Sequence, residues 1–217
     1  MDSWLDPVKT EISLNNGFVL LTIIATKGST PCTNGDKIVF TKNENSFGSI
    51  GGGNLEFKSL AFAKEMLGQK MNTRQLVKYP LGATLGQCCG GYVKVLFESF
   101  IDDDEDLSHN NSWIEQVSAL YKKGEDFILA TIIDIHKKNH SSTQKCIYTN
   151  NNFYSSLSNK KLSNFIEECA SNLMQSAQSP TIVEFEDDSE TKAQVLLEKV
   201  NSSEVLPVVV FGAGHIS

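Results

Sequence analysis

Three stretches hold residues whose types and spacing could do chemistry. They are Gly28-Ser29-Thr30-Pro31, Gly48-Ser49-Ile50-Gly51-Gly52-Gly53-Asn54-Leu55-Glu56 and Gln87-Cys88-Cys89-Gly90-Gly91. A run of three glycines lets another group approach the backbone closely, but it costs more entropy to order than any other run. A helix is expected from about Leu55 to Leu67, and its first turn offers unpaired N–H groups to an anion. Glu56 in that turn suits the positive end of the dipole. The alternative is a tight strand-to-helix turn without a ligand. Cys88 and Cys89 do not make a zinc site by themselves, because Cys32, Cys146 and Cys169 lack the paired spacing that zinc uses. A disulfide between neighbours is strained. What remains is a thiol site whose glycine amides could stabilise a thiolate or an anion, or a pair of small buried apolar residues.

Elements that would position these residues follow from the pattern. Phe18 to Thr26 is continuous, apolar and β-branched, which reads as a strand covered on both faces. Lys37–Thr41 and Phe47–Ile50 read as two more strands, Gln75–Tyr79 as a fourth and Tyr92–Phe100 as an alternating fifth. Residues 4 to 15 carry a weak helical signal. Beyond an acidic stretch, the order returns: a helix from Trp113 to Lys122, strands at Phe127–Ile133, Lys145–Thr149 and Phe153–Leu157, a helix from Leu162 to Met174 and a strand at Ala193–Val200. Phe127-Ile128-Leu129-Ala130-Thr131-Ile132-Ile133 repeats Phe18-Val19-Leu20-Leu21-Thr22-Ile23-Ile24 almost position for position. The expected fold is α/β (α+β): a duplicated unit, helices on a mixed sheet, with repeats at about 17–100 and 126–200 joined by an acidic linker at 101–111.

Duplication sorts the residues. Strands and helix recur, so they are scaffold. The glycines and the cysteine pair occur in the first half alone; the second half carries Ser158-Asn159-Lys160-Lys161 where the first has its glycine turn. The scaffold does not require them.

Composition narrows the classes. The chain has 217 residues, 40% apolar and 21% charged, as in a soluble globular protein. A net charge of −7 without a basic run argues against nucleic-acid binding. No apolar run approaches the roughly 20 residues of a membrane span. The N-terminus lacks the pattern of a signal peptide. Five cysteines without framework spacing point to a reducing compartment, the cytoplasm.

Gly48-Ser49-Ile50-Gly51-Gly52-Gly53-x-Leu55-Glu56, with Leu81-Gly82-x-x-Leu85-Gly86-Gln87-Cys88-Cys89-Gly90-Gly91, resembles the XdhC branch of the XdhC/CoxI family, accessory proteins of xanthine dehydrogenase and related molybdenum hydroxylases. Gly28-Ser29-Thr30-Pro31 resembles the family's loop after the first strand, although Cys32 stands where the family usually carries arginine. Residues 1–203 would form the family's N-terminal domain. Pro207 to Ile216 resembles the start of its Rossmann-like domain, of which 204–217 holds only the first strand. The resemblance implies a non-catalytic chaperone. It would bind the molybdenum cofactor (Mo-molybdopterin), hold it while a cysteine desulfurase adds the sulfido ligand, and pass it to the hydroxylase. Implied binding residues are Ser29, Thr30, Ser49, Gly51, Gly52, Gly53, Asn54, Glu56, Gln87, Cys88, Cys89, Gly90 and Gly91, with Cys88 or Cys89 on molybdenum. A homodimer is expected. NAD is not, because Gly212-x-Gly214 has no helix after it in this chain. The apolar segment Val208–Phe211 is expected to dock on another copy or to lie on the surface. The alternatives are a thiol-dependent sulfur-transfer or redox enzyme using Cys88 and Cys89, and a non-functional fragment of a Rossmann oxidoreductase.

Overall fold

The computed structural model describes residues 4–69, 73–82, 91–101, 112–136, 144–176, 179–187 and 191–201. Its first half runs α1 (Leu5–Ser13), β1 (Phe18–Lys27), β2 (Lys37–Thr41), β3 (Ser46–Gly48), α2 (Gly53–Gly68), β4 (Arg74–Pro80) and β5 (Tyr92–Phe100). Its second runs α3 (Ser112–Lys123), β6 (Phe127–His136), β7 (Lys145–Tyr148), β8 (Phe153–Tyr154), α4 (Lys160–Met174), β9 (Thr181–Glu186) and β10 (Lys192–Val200). The acidic linker and the apolar segment Val208–Phe211 lie outside the described residues.

The strands form two five-stranded sheets of the same order, β3-β2-β1-β5-β4 and β8-β7-β6-β10-β9. Every pairing is antiparallel, so the expected mixed sheet is corrected. The reason lies in the connections. Within each half the strands are joined by reversing loops, and the last strand returns beside the first. In each half one helix runs from one edge strand to the opposite one, α2 from β3 to β4 and α4 from β8 to β9. The 16 residues of α2 reach about 24 Å. Five strands need about 19 Å of lateral travel.

The continuous apolar run of β1 is explained by cover on both faces. Val19, Leu21 and Ile23 pack beneath α2 with Leu55, Ala63 and Met66. Phe18 and Leu20 face the opposite way, into a central core shared with Trp4, Val8, Trp113, Val117, Phe127 and Leu129. In β6 the same alternation sends Ile128, Ala130 and Ile132 beneath α4. The layers are therefore helix, sheet, shared core with α1 and α3, sheet, helix. Both long pairings also break register at the same place. Ile24 is the extra residue of β1 and Ile133 that of β6. These bulges add a residue and sharpen the local twist. They bring Ile24 and Ile133 together with Leu96 and Leu196 in a small cluster between the sheets.

Helices α1 and α3 belong to the repeat. Trp4 and Trp113 stack across the centre at 6.4 Å. The lysines opening β2 and β7 sit inside, each exchanged for a glutamate of the other half. Lys37 Nζ lies 2.5 Å from Glu198, and Lys145 Nζ lies 2.8 Å from Glu98. Thr22 and Thr131 accept from the same two ammonium groups. A contact made twice with the roles exchanged is the mark of a two-fold relation. The pairs differ in closure: the Lys145 and Glu98 side chains are 1% and 2% exposed, those of Lys37 and Glu198 each 9%.

Removing one partner of a buried ion pair leaves an uncompensated charge. Glu98→Ala should therefore cost about 3–5 kcal/mol in urea unfolding. Glu198→Ala should cost less, because water reaches the lysine it would orphan.

Candidate functional site

Among the described residues, the glycine turn, the 28–31 loop and Gly91, the last residue of the third stretch, meet at one place. A Cβ on Gly51 would lie 2.7 Å from the Pro31 carbonyl oxygen and 2.9 Å from the Pro31 side chain, so the glycine turn abuts the loop after β1. A Cβ on Gly91 would lie 2.2 Å from the Lys27 carbonyl oxygen and 2.9 Å from that of Ser29. The loop 28–31 is thus held between the triglycine turn and the residue that ends the cysteine-bearing loop. The Leu81 N–H donates to the Gly91 carbonyl at 2.9 Å, closing that loop at its base. Gln87, Cys88, Cys89 and Gly90 lie outside the described residues. Ser29, Ser49, Gly51, Gly53 and Asn54 are exposed; Thr30 and Glu56 are half-buried.

The backbone demands glycine here. Gly51, Gly52 and Gly53 have φ of 97°, 71° and 65°, in the region side chains avoid. Gly52 caps α2 without any side-chain bond. At the matching turn of the second half, Asn159 caps α4 in the ordinary way, its side chain accepting from the Leu162 N–H at 3.1 Å.

The amides of the turn are not bare, which corrects the expectation of an open anion cradle. One Glu56 oxygen accepts from the Ile50 N–H at 3.1 Å, the Gly52 N–H at 3.2 Å and the Ser49 hydroxyl at 2.9 Å. The Gly51 N–H donates to Ser49 Oγ at 3.2 Å. Glu56 reaches back from the first turn and does the work of the missing cap; its carboxylate stands where an external anion would bind.

The described thiols are poor nucleophiles. Cys32 is a core residue, 5% exposed, and its thiol is pushed up to about 11, by burial first and by the Asp36 carboxylate second. Its position in the core excludes an anion contact by that side chain. Burial also raises the thiols of Cys146 and Cys169. Among the described residues no cluster of three or more His, Cys, Asp or Glu is placed to hold a metal. Among the same residues no helix is long and apolar enough to cross a membrane.

A cleft of about 720 Å³ touches the turn at Ser49 and is lined from both halves by Trp4, Lys37, Tyr121, Pro180 and Glu198 among others. The sequence carried a signal for it. Glu98 and Glu198 interrupt two apolar strands at the same position, after Val95-Leu96-Phe97 and Val195-Leu196-Leu197, and Lys37 and Lys145 open two matching strands.

Residues 13–80 match the family described as XdhC and CoxI, so the resemblance carried by the glycine turn holds over that part of the chain. The chain also has the fold of a crystal structure described as a xanthine dehydrogenase from Bacillus halodurans, with a TM-score of 0.55 at 16% identity. That likeness covers 88% of this chain and 52% of the other, so the chain spans about half the length of the protein it resembles. No curated protein sequence matches the chain.

Glu56→Ala should cost about 1–2 kcal/mol in urea unfolding, as a lost helix cap does. Cys32 gives an alkaline dependence with a definite sign. Its folded value lies above its ordinary 9.0, so its contribution is complete below about pH 9 and is lost as pH rises through about 11. Cys32→Ala should lose less stability than the native chain over that interval, as read from urea midpoints.

Proposed function

We propose that the chain is a non-catalytic accessory protein. It binds the molybdenum cofactor as cargo, protects it, presents it for sulfuration by a cysteine desulfurase and delivers it to xanthine dehydrogenase or a related molybdenum hydroxylase, in the cytoplasm and as a homodimer. The family match over residues 13–80 and the shared fold support an association with xanthine dehydrogenase. The observation that carries the rest is the convergence of the glycine turn, the 28–31 loop and the base of the cysteine loop, in a scaffold whose other half does without all three.

The chain's own groups suggest how cargo is held. A cofactor phosphate would take the place of the Glu56 carboxylate on the amides of Ile50 and Gly52. The Ser49 hydroxyl, now donating to Glu56, would turn to the incoming oxygen. Exchange of one anion for another avoids exposing unpaired amides at any stage, which suits a carrier that must both load and release. Ser29, Thr30 and Asn54 border the same turn, and Cys88 or Cys89 would meet the metal from the loop that ends at Gly91.

The chain, produced in cells that make the cofactor, should carry pterin through purification, detected by fluorescence after oxidation. The Cys88→Ala/Cys89→Ala double variant should lose most of that pterin and fail to activate the hydroxylase. Equal retention and equal activation would remove the thiols from the mechanism, and no pterin with the native chain would overturn the cargo itself.

A further inference from the structure

The two Lys–Glu pairs should be equivalent, and they are not. Lys145 donates to both oxygens of Glu98, at 2.8 and 3.0 Å, and to Thr131 at 2.8 Å. An ammonium has three donors, so all of them are used, and both carboxylate oxygens are engaged. Lys37 donates to one oxygen of Glu198 at 2.5 Å and to Thr22 at 3.3 Å. Its third N–H and the second Glu198 oxygen have no hydrogen-bond partner among the described residues. Lys37 and Glu198 both line the cleft.

The difference has a local cause. Arg74 stands opposite Glu98 in the pairing of β4 with β5, and its guanidinium reaches across to the Ile132 carbonyl of the other half, covering the closed pair. The β9–β10 register puts Pro180 in the matching position, one residue before Thr181, which pairs with Leu197. Proline has no such arm. On that side the Ile23 carbonyl accepts instead from the Gly35 N–H at 2.8 Å, and the space beside it stays open.

We propose that this cleft binds a planar lactam heterocycle, a ring N–H beside a ring carbonyl, with Lys37 donating to the carbonyl and Glu198 accepting from the N–H. The volume is that of a small-molecule site. An ammonium donor and a carboxylate acceptor held side by side match an edge that offers one acceptor and one donor at the same spacing. Charge excludes polyanions: Lys37 and Lys199 are balanced by Asp36 and Glu198. The half-buried Tyr121 on the wall suits a flat ligand. Two sources share this edge, a guanine-type purine and a pterin. The inference stands on the unequal ion pairs; its pterin arm rests on the cargo reading above, and its guanine arm does not.

Guanosine and 6-hydroxymethylpterin are the probes, titrated against the purified chain by calorimetry. At least one should bind, and which one does identifies the source. 1-Methylguanosine or the N3-methylated pterin, which lack the ring N–H, should bind at least tenfold more weakly than their parents. Asn34→Trp, which fills the rim and leaves the ion pair in place, should abolish binding with an unchanged melting temperature. Glu198→Gln should weaken binding at least tenfold in any folded preparation. Absence of binding by either probe, or methylated probes that bind as well as their parents, would overturn the proposal, as would full binding by Asn34→Trp.

Discussion

The exchange of Lys37 and Lys145 for Glu198 and Glu98 constrains the rest of the structure. A charge taken from water into a protein interior costs several kcal/mol unless a partner of opposite sign is fixed beside it. Here each partner comes from the other half, so neither sheet can slide or turn on the other without orphaning two ions. The stacked Trp4 and Trp113 lie against these ammonium groups, with ring centres 5.7 and 4.9 Å from the Lys37 and Lys145 nitrogens. The apolar core supplies cohesion, and the ion pairs supply the alignment that cohesion leaves open. Burial lowers the affinity of Lys145 for its proton and Glu98 restores part of it, which is the electrostatic form of the same bargain.

Much of the scaffold was legible because antiparallel strands covered on both faces leave a plain trace. The runs beginning at Phe18 and Phe127 are apolar without alternation, and their odd and even residues do go to different cores. The long helices and the closing strands fell within a few residues of expectation. The sheet type was not legible, since apolar runs of this kind also mark parallel strands. Strand β9 was missed: Thr181–Glu186 is an edge strand with two glutamates and little burial. Membership of α1 in the repeat was missed as well, although Trp4 and Val8 correspond to Trp113 and Val117, because nine residues are a short window for periodicity.

The candidate site shows what sequence pattern sees and what it leaves out. Comparing halves found the glycines, and positive φ at three consecutive residues explains why glycine stands at each. Sequence pattern placed Glu56 in the first turn but could not find its carboxylate bonded to the turn's amides, because that depends on a side chain folding back along its own helix. The second half caps α4 with Asn159 and needs no such device. The first half replaced a permanent cap by a carboxylate held on two backbone amides and a hydroxyl, a capping group that another anion can displace.

The repeated architecture carries a consequence. A half on its own would open Phe18, Leu20 and Trp4, or Phe127, Leu129 and Trp113, to water and leave its lysine and glutamate without the partners they have here, so each half needs the other as the two copies of a symmetric dimer do. In such a dimer every substitution appears twice. In a single polypeptide the two sides are free to differ, and Arg74 on one side answers to Pro180 on the other. A single chain makes asymmetry possible, and the molecule uses it to keep one lock shut and leave the other ajar.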